Sequence, residues 1–427
     1  MTQHKVTSGQ TIRARRVAWH DGSQMLAKQD IDSIRVACET TLHQNWREGR
    51  RASDGTPFAY TCPSPFHYPW QWYWDSCFTA IAWRHFEPER SRRELESLLA
   101  AQREDGFIGH TIFWTALNGG RRFTYNITST DAPMTSSIQP PALAWAWRIA
   151  VGDPATVPQI LRHHDWLAEN RDLDGDGLLW IVQPDESGLD ASTQFDAIWR
   201  YRAHGLPGFM LLVRRNRTLG YDVRRILAAG GPVCCEVLTN VLYNLSRLAL
   251  GRPSLTKTMI ERMYDPRSGL FMPLTRPVPL RRPPMAWSAL SPLALPDLPD
   301  EIACRLIEEH LLNPKHYWLP VPPPSVSASD PNFAPGDDRM FGLRRYWRGP
   351  TWVNAGWLLW LGLLRMGYRE HGEALVSRLG TALAHEGLRE YYDPLTGRGM
   401  GAVDFGWSSL FMEMIDRDPR AAGSYLE

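Results

Sequence analysis

The 427-residue chain carries almost no net charge, no apolar run long enough for a bilayer, and no cysteine pattern of metal-binding type. Its 47 Lys and Arg against 46 Asp and Glu leave a formal charge of +1. That balance argues against a nucleic-acid binder, which carries a concentrated basic face. The opening stretch from Met1 to Gln24 is polar and lacks an apolar core of signal-peptide type. The most apolar helical run, Trp352 to Leu364, contains Asn354 and falls short of the ~20 residues that a membrane span takes. The six cysteines show no C-x-x-C spacing, and the adjacent Cys234 and Cys235 cannot readily bridge each other. All are expected to be reduced, mostly buried thiols in a cytoplasmic protein. No repeat of fixed period is visible, which argues against a regular solenoid. An Asp-rich metal motif on a helix, as a terpene-type cyclase would need, is missing.

Asp172-Leu173-Asp174-Gly175-Asp176-Gly177 resembles the start of a calcium loop. An EF-hand wants a bidentate Glu at the twelfth position, and here that residue is Gln183. The stretch is read as an Asx/Gly turn. No metal and no cofactor are expected.

Tryptophan is what the chain has in excess, with 19. Many stand beside Asp, Gln, Arg or Gly rather than in apolar stripes. Flat rings with polar neighbours suit a pocket that stacks on the C–H faces of sugars while the neighbours take the hydroxyls.

Helical periodicity recurs along the chain. Residues 1–30 read as an arm and 31–427 as one catalytic domain. Helices are predicted over Ile31 to Glu48, Cys77 to Phe86 with Asp75 as its N-cap, a Glu87-Pro88-Glu89 start leading to Leu99, Gln139 to Ala150, and Val157 to Glu169. Further helices are predicted over Phe195 to Asn216 with an interruption, Pro232 to Leu250, Ser254 to Tyr264, Glu301 to Leu312, Thr351 to Met366, Gly372 to Glu386 and Trp407 to Arg417. Pro277 to Pro299 reads as connection. Trp318 to Tyr346 has no periodicity, and such a long loop reads as a lid over a site. Runs apolar all round, such as Thr351 to Met366, alternate with one-faced runs, such as Gly372 to Glu386. Buried inner helices and half-buried outer helices make two concentric rings. The predicted fold is therefore all-α, an (α/α)6 barrel whose connecting loops at one end form the site.

Two turn-rich stretches far apart each offer a carboxylate: Pro184 to Asp190 and Glu390 to Gly397. Brought together, Asp190 and Glu390 can act as acid and base on one glycosidic bond. Four stretches in order resemble glycoside hydrolase family 63 with its trehalase and glucoamylase relatives. They are Gln71-Trp72-Tyr73-Trp74-Asp75, Glu186-Ser187-Gly188-Leu189-Asp190, Tyr346-Trp347-Arg348-Gly349-Pro350-Thr351-Trp352, and Glu390-Tyr391-Tyr392-Asp393-Pro394 with Thr396-Gly397. The resemblance spans residues 70–410. It implies an (α/α)6 barrel and inverting hydrolysis of an α-glycoside, with Asp190 as general acid and Glu390 as general base. It also implies that Tyr68, Trp72, Trp74, Asp75, Gln139, Tyr346, Trp347 and Arg348 bind the sugar. The length is similar to that of compact bacterial members that hydrolyse mannosylglycerate or glucosylglycerate. The chain departs from some of those at Asp185, where tryptophan would be expected, and at Phe405, where a polar contact would be.

The chemistry sets requirements. Asp190 must keep a proton near neutral pH although a free Asp ionises near ~3.9. Burial and a nearby anion, Glu186, Asp185 or Asp75, would hold it there. Inversion asks for carboxyl groups about 6.5–9.5 Å apart, leaving room for a water. Arg348 is expected either to bind a substrate carboxylate or to clamp an acid through paired N–H bonds. Of Arg200, Arg202, Arg214, Arg215 and Arg217, most are expected at the surface. The partner is a small glycoside, not nucleic acid or a membrane. A trehalase-like enzyme on a neutral disaccharide and a non-catalytic carbohydrate-binding barrel are the alternatives. The oligomeric state stays open, a homo-oligomer included.

Overall fold

The computed structural model describes residues 25–115, 134–200, 206–336 and 346–416, with the backbone of a short hairpin that pairs Arg339–Met340 with Leu343–Arg344. Residues 1–24 of the expected arm lie outside the described residues, and Lys28 already begins the first helix, Lys28–Asn45.

Six buried segments build the centre: Tyr73–Trp83, Leu143–Ala150, Val237–Ala249, Trp287–Ala294, Val353–Arg365 and Gly406–Phe411. Each packs against the next, and the last returns onto the first, so the ring closes. Every residue of Tyr73–Trp83 and of Gly406–Phe411 is buried, as is Val353 to Leu363. This is what apolar residues on all faces of a helix require.

An outer layer follows in the chain. Pro88–Ala100 comes after the first inner helix, Pro158–Arg171 after the second, and Thr256–Met263 after the third. Asp300–Arg305 with Leu306–Leu311 comes after the fourth, and Arg369–Glu386 after the fifth. The sixth inner segment takes its outer partner from the other end of the chain, because Lys28–Asn45 packs on Gly406–Phe411 and on Arg369–Glu386. Outer helices bury one stripe, as the periodicity predicts; Arg369–Glu386 sinks Leu375, Leu379 and Leu383. The result is the (α/α)6 arrangement, with the first and last helical elements closing it together.

Several boundaries differ from the sequence reading. Trp46 to Arg50 is a strand paired with Pro57–Thr61, so the first helix stops at Asn45. Pro277 to Pro299 is not plain connection: Trp287–Ala294 is a 3₁₀ segment and a full member of the inner ring. Pro292 inside it and its short length erase the 3.6-residue period that marks an α-helix. Asp75 does not cap a helix beginning at Cys77. The helix begins at Tyr73, whose N–H donates to the His110 carbonyl at 2.9 Å, and Asp75 lies in its first turn without capping it.

The stretch expected as a lid is tied down where it is described. Val321, Ser325 and Ala334 donate backbone N–H groups to Pro394, Pro350 and Arg348 at 2.7–2.9 Å. Residues 337–338, 341–342 and 345 lie outside the described residues. The 172–177 stretch is an Asx turn, with Asp172 accepting from Gly175 N at 2.7 Å and Gly177 N at 2.9 Å. Asp174 and Asp176 are answered by Arg262, and Asp174 also by Arg276.

Candidate active site

The connectors at one end of the ring surround a cavity open to solvent. Asp190 and Glu390 both line it, although 200 positions separate them in the chain. Tyr68, Trp72, Trp74, Asp75, Gln139, Tyr346 and Trp347 line it as well. Arg348 does not. It is buried, and its two terminal nitrogens are held by Asp196 at 2.8 and 2.7 Å, with a further bond to the Ala191 carbonyl at 3.1 Å. Its bidentate clamp therefore fixes the segment just after Asp190. Arg200 and Arg214 are exposed, Arg215 and Arg217 half-buried, and none of the four lines the cavity; Arg202 lies outside the described residues.

Asp190 follows a 3₁₀ turn, Pro184–Ser187, that ends on Gly188. Gly188 sits at φ +71°, and a Cβ there would meet the Trp74 ring at 2.5 Å, so only glycine lets the chain cross the indole. The turn is anchored behind the cavity. Glu186 accepts from both terminal nitrogens of Arg171 at 2.6 and 2.8 Å, from Ile138 N at 3.1 Å and from Val182 N at 2.8 Å. Asp190 Oδ2 accepts from the Tyr346 hydroxyl at 3.0 Å. Burial first, then the neighbouring Asp185 charge, pushes the Asp190 carboxyl up to about 6, while His110 pulls the other way.

Glu390 stands on the strand Arg389–Tyr392, paired with Gly399–Val403. The register slips between Arg389 and Tyr391, so Gly401 and Ala402 both face Glu390, a bulge of the kind that re-aims a side chain. Gly401 takes φ +72°, and a Cβ there would lie 2.6 Å from Glu390 Oε2. The carboxylate is held from two sides, with Tyr68 Oη donating to Oε1 at 3.1 Å and Ala402 N to Oε2 at 2.8 Å.

Asp75 is a third buried acid in the cavity. Burial raises its carboxyl well above the usual range, and the Glu390 and Glu94 charges add to this. Gln139 Oε1 accepts from Trp74 N at 2.9 Å, which ties the second inner helix's lead-in to the first.

The rings form a sheath. Trp347 stacks on Trp352 with centroids 3.8 Å apart and planes at 6°. Trp407 meets Trp74 edge-on at 5.1 Å. Among the described residues, the indole nitrogens of Trp72, Trp352 and Trp407 and the His110 Nε2 are buried without a hydrogen-bond partner, and all four residues line the cavity. Buried donors in a concave site call for a polar ligand. Stacking rings with polar neighbours are what a sugar's faces and hydroxyls match.

Sequence reasoning missed Pro63, His110, Gly188, Trp352 and Trp407 as lining residues, while Phe405, singled out there as a departure, does line the cavity. Gly188 and Trp352 stood inside quoted motifs, and Trp407 opened a predicted helix. His110 carried no local signal: strand pairing of Gln71–Trp72 with Thr111–Ile112 brings it beside Trp72, with ring centroids 5.1 Å apart.

The sequence matches the family model of the mannosylglycerate hydrolase MGH1-like glycoside hydrolase domain over residues 68–252 and 251–408. It is 29% identical over 428 residues to the mannosylglycerate hydrolase of Rubrobacter radiotolerans, covering 83% of this chain and 92% of that protein. It is 25% identical over 424 residues to the glucosylglycerate hydrolase of Mycolicibacterium hassiacum, covering 82% of this chain and 92% of that one. The fold matches the crystal structure of the family 63 mannosylglycerate hydrolase of Thermus thermophilus in complex with Tris and D-glycerate. The TM-score is 0.73 at 26% identity, over 90% of this chain and 100% of the other.

Proposed function

Because the chain belongs to the mannosylglycerate hydrolase MGH1-like family of glycoside hydrolases, we propose that it cleaves mannosylglycerate or glucosylglycerate with inversion, releasing free sugar and glycerate in the cytoplasm. Asp190 protonates the glycosidic oxygen and Glu390 draws a proton from the attacking water. The observation that carries this reading is one aromatic-walled cavity in which Asp190 and Glu390 stand in different environments. Asp190, pushed up to about 6, is the acid. Glu390 accepts hydrogen bonds on both oxygens and is the base. Two carboxyl groups set apart by environment are how such a site divides the roles.

Trp72, Trp74, Trp347, Tyr68, Tyr346, Asp75 and Gln139 hold the sugar in this reading, and Arg348 supports the acid's segment rather than touching the substrate. A lid role for 318–346 belongs to the same proposal and is carried by Tyr346, which reaches Asp190. Equal protease sensitivity of the stretch with and without a substrate analogue would count against it.

The direct test is sugar release from α-mannosylglycerate, α-glucosylglycerate, trehalose and a neutral α-glucoside, with wild type and Asp190→Asn side by side. Release from the glycerate compounds alone, lost in the variant, is the expected result. Release only from neutral glycosides would discard the glycerate assignment, and release that survives in Asp190→Asn would discard the acid.

A further inference from the structure

Asp185 and Glu186 are neighbours in one 3₁₀ turn, yet the fold treats them differently. Glu186 is answered by a bidentate arginine and two backbone N–H groups. Asp185 has a side chain only 14% exposed, and its close donor is the Gln183 amide at 2.8 Å. Its Oδ1 is buried without a hydrogen-bond partner among the described residues. The His110 Nδ1 stands 3.7 Å from its Oδ2. A half-buried carboxylate with one oxygen unanswered costs stability. Such a cost is tolerated where the charge does something, and Asp185 lies five positions before the proposed acid.

His110 is built in firmly. Its N–H donates to the Ser137 carbonyl at 2.8 Å and its carbonyl accepts from Tyr73 N at 2.9 Å. Its ring meets Trp72 edge-on, and the unpartnered Nε2 belongs to a residue of the cavity wall that also contains Asp190. Among the described residues, the other polar groups near Asp190 are placed as follows. Tyr346 donates to its Oδ2, Arg348 answers Asp196, Arg171 answers Glu186, and Glu390 and Asp75 share the cavity.

We propose that Asp185 and His110 form a dyad of positioning residues that controls the proton on Asp190: the half-answered Asp185 carboxylate keeps the acid protonated, and the imidazole beside it sets how much of that charge acts. The proposal rests on Asp190 being the acid. A like charge nearby disfavours ionisation of a carboxyl group, and a cation beside that charge weakens the effect. Asp185 and His110 therefore act on Asp190 in opposite directions, as their signs require.

The experiment measures kcat/KM against pH for wild type, Asp185→Asn, His110→Gln and the double variant. The substrates are a glycerate glycoside and an aryl α-glycoside with a leaving group that needs no proton. Thermal melts of each variant accompany the assays. On the glycerate substrate the alkaline limb of Asp185→Asn should move down by about one pH unit. That of His110→Gln should move up, and the double variant should lie between. The aryl glycoside should show none of these movements. Limbs that stay in place, or that move in the same direction, overturn the dyad. If Asp185→Asn does not fold, the upward movement in His110→Gln decides alone. Failure of the acid assignment is distinguishable, because Asp190→Asn would then keep its activity on the glycerate substrate whatever the two neighbours do.

Discussion

Replacing Gly401 by alanine separates two costs that the structure places at one residue. The backbone there is left-handed, at φ +72°, and an alanine in that region pays about 1–2 kcal/mol. Its Cβ would also stand 2.6 Å from Glu390 Oε2, 2.6 Å from the Tyr391 ring and 2.7 Å from Glu390 Cβ. Ordinary carbon contacts begin at 3.4 Å, so the carboxylate or the strand must yield by up to about 0.8 Å, the difference between 3.4 and 2.6. Misplacing a catalytic group by ~1 Å costs ~10²-fold in rate. Gly401→Ala should therefore lower kcat by about 10²-fold with a small change in KM. Gly251→Ala is the control, since Gly251 sits at φ +69° with nothing within 4 Å and pays the backbone cost alone. Both variants should melt lower than wild type, while only Gly401→Ala loses turnover. A Gly401→Ala enzyme with wild-type kcat would refute the argument that the bulge sets the position of Glu390.

Four further outcomes are expected. With Asp190 pushed up to about 6, kcat/KM on poor leaving groups should fall as pH rises through that value, because the acid must be protonated. Asp190→Asn should lose ~10²–10⁴-fold on those substrates and far less on activated aryl glycosides, as steady-state assays would read. Glu94 accepts from Thr61 N, Thr61 Oγ1 and Thr79 Oγ1 and is held by burial up to about 8. A raised carboxyl contributes stability that is full below the ordinary carboxylate range and is lost as pH climbs through the folded-state value. The melting temperature of Glu94→Gln relative to wild type should rise between about pH 4.5 and 8 and then level, with a flat difference refuting the burial argument. Arg171→Met leaves Glu186 buried and unpaired, which should cost ~3–5 kcal/mol in chemical denaturation, and adding Glu186→Gln should recover part of it.

Most of the helical inventory was legible because the outer helices obey a simple period. Leu375, Leu379 and Leu383 lie on one stripe, and that stripe is the buried one. The inner helix Val353–Arg365 was legible for the opposite reason, being apolar on every face. Trp287–Ala294 was not, since a 3₁₀ segment with an internal proline has neither signature. The motif around Arg348 read as part of a sugar pocket, but a guanidinium cannot announce which carboxylate it will meet. Asp196, 152 positions earlier in the chain and without a motif of its own, is the partner that removes it from the cavity.

Local chemistry in the sequence determined the helical class and the alternation of inner and outer helices, because burial stripes are properties of a few consecutive residues, while Asp190 and Glu390 were singled out by four motifs in the order of a known family. Tertiary structure decided what depends on distant chain segments meeting. Closure of the ring joins residues near 28–45 to 406–411. The environments of the acids are set likewise: Tyr68 and Ala402 hold Glu390, Tyr346 reaches Asp190, and His110 stands beside Asp185. A carboxyl group's protonation is fixed by burial and by the charges around it, and those come from chain segments that only the closed ring brings together.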